Sequence, residues 1–313
     1  MRPAPPLLAV VGPTASGKTD LALALARFLP VEILVADSRQ VYRGMDIGTA
    51  KPSAAARAAV PHHLLDLVPP DAPFSLADWL TAARAAVREV GERGRLPLVV
   101  GGTGLYISAL VDGYDLAAQG HDPARRASLA AELGERGLAP LVARLTRLDP
   151  AAAARIDRRN PRRVLRALER AEAGSVGGPP RAEAYAGPVR LIGLARPRAA
   201  LVARIEARAH AMFTGGLLDE VRDLRDAGYG PWLEPMTGHG YREAARHLAG
   251  EWTLEEAIRV TALHTRQYAK RQLTWFRRDA RIRWLDAGDG PADAPELVTA
   301  ALAVAAELSS GVG

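Results

Sequence analysis

Four short, mostly apolar runs, at residues 7–11, 31–36, 96–100 and 189–194, are each bounded by Gly, Pro or Asp and are too short for helices. Such runs predict strands buried on both faces. The segments between them change period. Residues 20–28 read as a helix closed by Pro30, and Ser75 followed by Asp78 resembles a capping box opening a helix to about Arg93. Residues 198–227 read as a long amphipathic helix with a break expected at Gly215-Gly216. Thr253 with Glu256 is a second capping-box pattern, for a helix reaching about Arg278, and the tail from Gly288 is expected to form a short surface helix. Strands alternating with helices in this order predict an α/β protein built on a parallel, doubly wound sheet.

The pattern changes at about Gly113. Up to Gly187 no strand signal appears, and helical stretches rich in Arg, Ala and Leu are punctuated by Asp122-Pro123, Asp149-Pro150, Asn160-Pro161 and Gly177-Gly178-Pro179-Pro180. Two parts are therefore expected: a core of residues 1–112 and 188–313, and a helical insertion domain at 113–187. A chain of 313 residues with 48% hydrophobic content can bury a full core. No apolar stretch approaches the roughly 20 residues needed to span a bilayer. The opening Met-Arg-Pro-Ala-Pro-Pro runs directly into the first strand, so no signal peptide, no membrane role and a cytoplasmic location are expected.

The chain has no cysteine, and its seven histidines lack metal-ligand spacing, so disulfides and structural zinc are not expected. The formal charge of +6 suits a polyanionic partner, although an Arg-rich composition alone produces the same sign. The charge is concentrated: Arg155, Arg158, Arg159, Arg162, Arg163, Arg166 and Arg170 fall within 16 residues, with Asn160 as N-cap and Pro161 as N1 of a helix. A solvated helix face is the usual reason for such a run, yet only Asp157 and Glu169 balance it, which favours contact with a phosphate backbone. Arg266, Lys270, Arg271, Arg277 and Arg278 form a second basic group, whose interleaved Tyr268, Trp275 and Phe276 fit a core at least as well as base stacking.

Gly12-Pro13-Thr14-Ala15-Ser16-Gly17-Lys18-Thr19 matches G-x-x-x-x-G-K-[ST] in full, between a predicted strand and a predicted helix. The loop's backbone N–H groups and the helix amino end suit phosphate oxygens, Lys18 reaches the outer phosphates, and the Thr19 hydroxyl can ligate Mg²⁺. The motif specifies a polyphosphate without saying which, ATP included. An NTPase also wants an acid at the end of a core strand. The 96–100 strand ends instead in Gly101-Gly102-Thr103-Gly104, although Asp37 does close the 31–36 strand. That composition favours a transferase with diphosphate as leaving group over an ordinary kinase or ATPase.

With Asp37 to Pro52 (Asp-Ser-Arg-Gln-Val-Tyr-Arg-Gly-Met-Asp-Ile-Gly-Thr-Ala-Lys-Pro) and Gly101 to Tyr106 added to the loop, the sequence resembles the tRNA dimethylallyltransferase (tRNA isopentenyltransferase) family. Further similar stretches lie at Asn160 to Glu169, Arg204 to Val221, Gly240 to Glu243 and Thr265 to Trp275. One irregularity is Met236-Thr237-Gly238-His239-Gly240-Tyr241, where the family tends to carry an apolar residue before Gly-Tyr.

The resemblance implies a P-loop NTPase-like parallel sheet flanked by helices, with a helical insertion. It implies transfer of a dimethylallyl group from dimethylallyl diphosphate to N6 of the adenine on the 3′ side of a tRNA anticodon, with Mg²⁺ as cofactor and no obligatory protein partner. Asp37 becomes the candidate base, because a carboxylate accepting the N6 proton raises the nucleophilicity of an amine delocalised into the ring. Its alternatives are a magnesium ligand or a helix cap. Arg208 becomes a diphosphate clamp rather than a surface arginine, and Thr103 a ligand of base or diphosphate unless it only caps the next helix. Asp37, Ser38, Arg39, Gln40, Thr103, Gly240, Tyr241 and Arg242, with Arg162, Arg163, Val164, Leu165 and Arg166 of the insertion, are implied to touch the tRNA anticodon stem-loop. Rival functions are prenylation of a free adenine nucleotide, a P-loop kinase or ATPase, and a non-catalytic RNA-binding protein.

Overall fold

The computed structural model describes residues 4–114, 122–174 and 184–308. Among these, parallel strands β1 (Leu7–Val11), β2 (Val31–Ala36), β3 (His62–His63), β4 (Leu96–Gly101), β5 (Val189–Ala195) and β6 (Ile282–Asp286) form a sheet of order β3-β2-β4-β1-β5-β6. The helices are α1 (Lys18–Leu25), α2 (Ala54–Ala59), α3 (Leu76–Glu92), α4 (Gly104–Val111), α5 (Pro123–Arg136), α6 (Leu138–Leu148), α7 (Pro150–Arg155), α8 (Pro161–Glu172), α9 (Arg198–Thr214), α10 (Leu217–Asp226), α11 (Tyr241–Leu248), α12 (Leu254–Phe276) and α13 (Pro295–Ala306). None of the described helices is long and apolar enough to cross a membrane.

The chain divides into two compact units, Asp112–Ala184 and the remainder. In the larger unit every residue of β1 and β2 is buried, as a parallel sheet covered on both faces requires, and the one charge among them, Glu32, is paired with Arg93 (2.7 Å) and His63 (2.7 Å). Helix α3 starts on a complete capping box, with Ser75 Oγ accepting from Asp78 N and Asp78 Oδ2 accepting from Ser75 N (2.8 Å). At α12 the box is only half made: Thr253 Oγ1 accepts from Glu256 N (3.1 Å), while the Glu256 carboxylate turns to Arg259. The break between α9 and α10 falls at Gly215-Gly216, as the pattern predicts.

The carboxyl-terminal part holds one element the sequence reading missed and one expectation that needs correction. Residues 282–286 form an edge strand, which the alternation with Arg283 and its exposed flank concealed. The tail is not a surface element, because α13 buries Leu297, Val298, Ala301, Val304 and Ala305 in the cluster that also holds Leu21, Leu25 and Ile192. Its small alanine side chains let the helix pack close to α1.

In the smaller unit the Asp-Pro and Asn-Pro pairs are helix starts. Asp122, Asp149 and Asn160 each accept a backbone N–H at the start of α5, α7 and α8, with Pro at N1. Leu129, Leu141, Leu145, Val164 and Leu168 make its core. The buried Glu169 carboxylate is held by Arg126 (2.8 Å) and Arg166 (3.1 Å).

Strand register positions the site. Gly101 is the Cα partner of both Val11 and Ala36, so β1, β2 and β4 end at one level and the turns that follow them lie side by side. In parallel sheets of this kind ligands bind beyond those carboxyl ends.

Candidate active site at the carboxyl edge of the sheet

Between β1 and α1 the chain turns through Gly12, Pro13, Thr14, Ala15, Ser16 and Gly17. Gly17 has φ 97°, and a Cβ there would stand 2.4 Å from that of Ala292, so both conformation and space demand glycine. Three arginines grip three successive loop residues. Arg208 Nη2 donates to Thr14 Oγ1 (2.7 Å), Arg204 Nε to the Ala15 carbonyl (3.0 Å) and Arg196 Nε to the Ser16 carbonyl (2.8 Å). Arg196 also donates to the carbonyls of Ala287, Gly288 and Gly290, tying the loop to the segment after β6. The first N–H groups of α1 have no intrahelical partner, and such a helix start is a ready anion site.

The turns after β2 and β4 complete the edge. Asp37 follows β2 directly, and its Oδ1 accepts from Arg39 N (2.8 Å). Thr103 Oγ1 accepts from Ser38 N (3.1 Å), so the hydroxyl fastens the β4 turn to the Asp37 turn. From α12, Gln272 accepts from Thr14 N through Oε1 (2.8 Å) and donates to the Gly102 carbonyl through Nε2 (2.9 Å), joining the two glycine turns. Gln272 escaped the sequence reading. Its signal is a polar residue at a core position in the helical series Thr261, Thr265, Ala269, Gln272, Phe276.

A cavity of about 820 Å³ opens between these turns, with Lys18, Thr19, Asp37, Ser38, Arg39, Gln40, Arg208, His239, Tyr268 and Gln272 among its lining residues. Lys18, partly exposed to it, donates from Nζ to the Pro13 carbonyl (2.7 Å). Burial and then the Arg208 guanidinium push this ammonium down to about 7, against the opposing pull of Asp37. Burial likewise lowers the Arg208 guanidinium below its ordinary value. The cavity thus holds two cations that an incoming polyanion would relieve.

A pH dependence follows. The charged form of Lys18 falls about tenfold per pH unit above its pKa, so affinity for a diphosphate is expected to be level below pH 7 and to fall above it. Titration calorimetry with inorganic diphosphate between pH 6 and 9 checks this, and a flat profile contradicts it.

The other residues expected to touch tRNA fall into different positions. Arg39 pairs with Glu234 (3.1 Å) at the cavity, and Gln40 Nε2 donates to the carbonyls of Thr49 (3.0 Å) and Ala50 (3.2 Å). Gly240 N donates to Glu243 Oε2 (2.8 Å), and the half-exposed Arg242 lies against Glu243 and His264. Arg162 and Arg163 are exposed and Arg166 is partly so. Leu165 packs against the core of its unit.

Val164 corrects the expectation, whereas Tyr241 lines the cavity with little of its surface exposed. Val164 is fully buried in that core, so its side chain offers RNA nothing. Tyr241 is also buried, with its hydroxyl donating to Glu220 Oε1 (2.6 Å). Glu220 in turn accepts from the backbone N–H groups of Asp46, Ile47 and Gly48, so phenol and carboxylate together pin this loop. A Cβ at Gly48 would stand 2.4 Å from the Tyr241 ring, which explains the glycine. Tyr241→Phe is therefore expected to cost about 1–2 kcal/mol of stability, the range for a hydrogen bond to a charged group. Its effect on tRNA affinity should be small. Denaturant midpoints and a filter-binding assay separate the two.

Sheet topology and the turn after β1 together define a protein with a P-loop NTPase-like fold. The IPP transferase family model matches residues 40–279, most of the chain, and an isopentenyl transferase model matches residues 5–61. The chain belongs to the IPP transferase family. It is 49% identical over 301 residues to a tRNA dimethylallyltransferase of Roseiflexus castenholzii, covering 96% of this chain and 97% of that one. A tRNA dimethylallyltransferase of Anaeromyxobacter dehalogenans is 50% identical over 287 residues, covering 89% and 94%. Among solved structures, the tRNA isopentenylpyrophosphate transferase of Bacillus halodurans superposes with TM-score 0.72 at 41% identity, covering 97% of each chain. A eukaryotic dimethylallyltransferase crystallised acting on tRNA reaches TM-score 0.80 at 23% identity, covering 98% of this chain and 80% of its own, a likeness of fold.

Proposed function

We propose that this protein transfers a dimethylallyl group from dimethylallyl diphosphate to N6 of the adenine 3′-adjacent to the anticodon in tRNA. The observation that carries the reading is that the Asp37 carboxylate and the Lys18 loop line one cavity. Lys18, Arg208 and the loop amides hold the diphosphate and stabilise the charge it gathers as the allylic C–O bond breaks. The N6 lone pair forms the new C–N bond, the diphosphate leaves with the C–O electron pair, and the N6 proton passes to Asp37. An adenine can reach this cavity only out of its stack, which an anticodon loop permits at low cost. A kinase or ATPase reading is disfavoured because β4 ends at Gly101, where an acid would be needed.

Mg²⁺ fits the residues present. The exposed Thr19 hydroxyl and the Asp37 carboxylate, both hard oxygen donors, line the same cavity. That suits an ion completing its shell with phosphate oxygens and water. Thr19 would hold the ion, which would supply charge neutralisation to the diphosphate.

The tRNA surface includes the insertion. Arg155, Arg158, Arg159, Arg162 and Arg163 are all exposed there, in a segment where Glu169 is already engaged by Arg126 and Arg166. Replacing Arg158, Arg162 and Arg163 together with Ala is expected to make the slope of log affinity against log salt shallower by about 2, at roughly 0.7 per phosphate contact on single strands. An unchanged slope would remove the insertion from the interface. The reading as a whole is tested by offering labelled dimethylallyl diphosphate with either unmodified tRNA or adenosine monophosphate. Label is expected in the tRNA; label in the free nucleotide would support the rival acceptor.

A further inference from the structure

His239 lies between Gly238 and Gly240, in the turn that leads into α11, and lines the cavity. Its ring stands edge-on to Tyr268, with centroids 5.7 Å apart and planes at 74°, and 5.8 Å from the ring of His264. Tyr268 shares α12 with Gln272, whose side chain joins the two glycine turns, and lines the same cavity as Asp37. His239 is thus one aromatic ring away from the turns that carry Asp37 and the phosphate loop.

Neither ring nitrogen of His239 has a hydrogen-bond partner among the described residues, and neither is sealed from solvent. The histidines at 62, 63, 247 and 264 all differ, each bonding a carbonyl or carboxylate. Packing edge-on against Tyr268 requires an aromatic ring and no nitrogen, which leaves both nitrogens free to bond a group that enters the cavity. Burial holds the imidazole down at about 4, with His264, Arg271 and Arg242 adding to the effect and Glu243 opposing it. At neutral pH the ring therefore presents one N–H donor and one bare acceptor. An uncharged group is a poor ligand for a diphosphate, which Lys18 and Arg208 already serve. It matches the edge of a purine, which offers nitrogen acceptors without charge.

We propose that His239 is a specificity residue of the acceptor site, its imidazole N–H donating to a ring nitrogen of the adenine that receives the prenyl group. This rests on the tRNA prenyl-transfer reading above. Gly240 N, held by Glu243 Oε2 at 2.8 Å, fixes the turn that presents the ring.

The test compares the wild type with His239→Phe, which keeps an aromatic edge against Tyr268, on synthetic anticodon stem-loops. These carry adenine, 1-deazaadenine, 3-deazaadenine or 7-deazaadenine at the acceptor position. The wild type is expected to lose about tenfold in kcat/KM on one of the three analogues, the usual scale for one neutral hydrogen bond. His239→Phe should lose a similar factor on adenine itself and show no added loss on that analogue, with unchanged affinity for dimethylallyl diphosphate. Reactivity changes intrinsic to an analogue appear in both proteins and cancel in the comparison. His239→Asn, which retains a donor, should recover part of the discrimination. Equal use of all four stem-loops by the wild type, or equal sensitivity of His239→Phe to the analogue, would overturn the role of His239 alone. No transfer by the wild type even to the adenine stem-loop would remove the function reading and this inference together.

Discussion

Asp37→Asn is expected to lower kcat by about 10²- to 10⁴-fold, the range for losing a positioned general base, while tRNA affinity stays within about twofold. The substitution is suited to the question because it spares the fold. Asp37 Oδ1 accepts from Arg39 N at 2.8 Å, and an amide oxygen can accept the same bond, so the turn carrying Ser38, Arg39 and Gln40 should hold its shape. What the amide cannot do is take the N6 proton. Single-turnover prenyl transfer, measured beside tRNA binding, separates the two effects. Near-normal turnover would leave Asp37 with a purely structural role, and a parallel collapse of tRNA binding would point to a disturbed turn.

The second large effect is at Lys18. Lys18→Ala is expected to weaken binding of dimethylallyl diphosphate and to reduce kcat by about 10²- to 10³-fold, the scale for one donor aimed at developing negative charge in a site shielded from water. The loop itself should survive. Lys18→Ala removes one loop bond, to the Pro13 carbonyl, but leaves the four that Arg208, Arg204, Arg196 and Gln272 make to Thr14, Ala15 and Ser16. Calorimetry with the diphosphate in the absence of RNA reads the binding loss directly. An unchanged diphosphate affinity would mean that the loop serves another ligand.

The fold was largely legible because its signals are local. Strands buried on both faces are mostly apolar, and helix starts must satisfy their orphan N–H groups, so runs such as Leu7–Val11 and pairs such as Asn160-Pro161 announce themselves within a few residues. The phosphate loop was legible for the same reason, since all its parts are contiguous. Edge strand β6 and helix α13 were not, because an edge strand tolerates polar positions and an alanine-rich helix looks alike whether it packs or faces water. Contacts far apart in sequence were illegible too. The grip of Arg196, Arg204, Arg208 and Gln272 on the loop spans 180 to 258 residues, and no spacing rule reaches that far.

Tyr241 and Val164 show a different limit. Both lie in stretches that resemble the family, yet each side chain is consumed by packing: Tyr241 against Gly48 and Glu220, Val164 in the core of the insertion. Likeness along the chain identifies residues that matter without separating those that face a ligand from those that hold them in place. His239 presents the converse case. A departure from an apolar pattern marks a side chain whose nitrogens have no partner among the described residues.

The most direct test is a mass balance on the purified protein with unmodified tRNA and dimethylallyl diphosphate. Inorganic diphosphate released is counted against N6-dimethylallyladenosine recovered from digested RNA. The account predicts equal amounts, with the modified nucleoside mapping to the 3′ neighbour of the anticodon, and orthophosphate absent. Orthophosphate appearing from ATP without any prenyl donor, or diphosphate released with no modified adenosine formed, would contradict it.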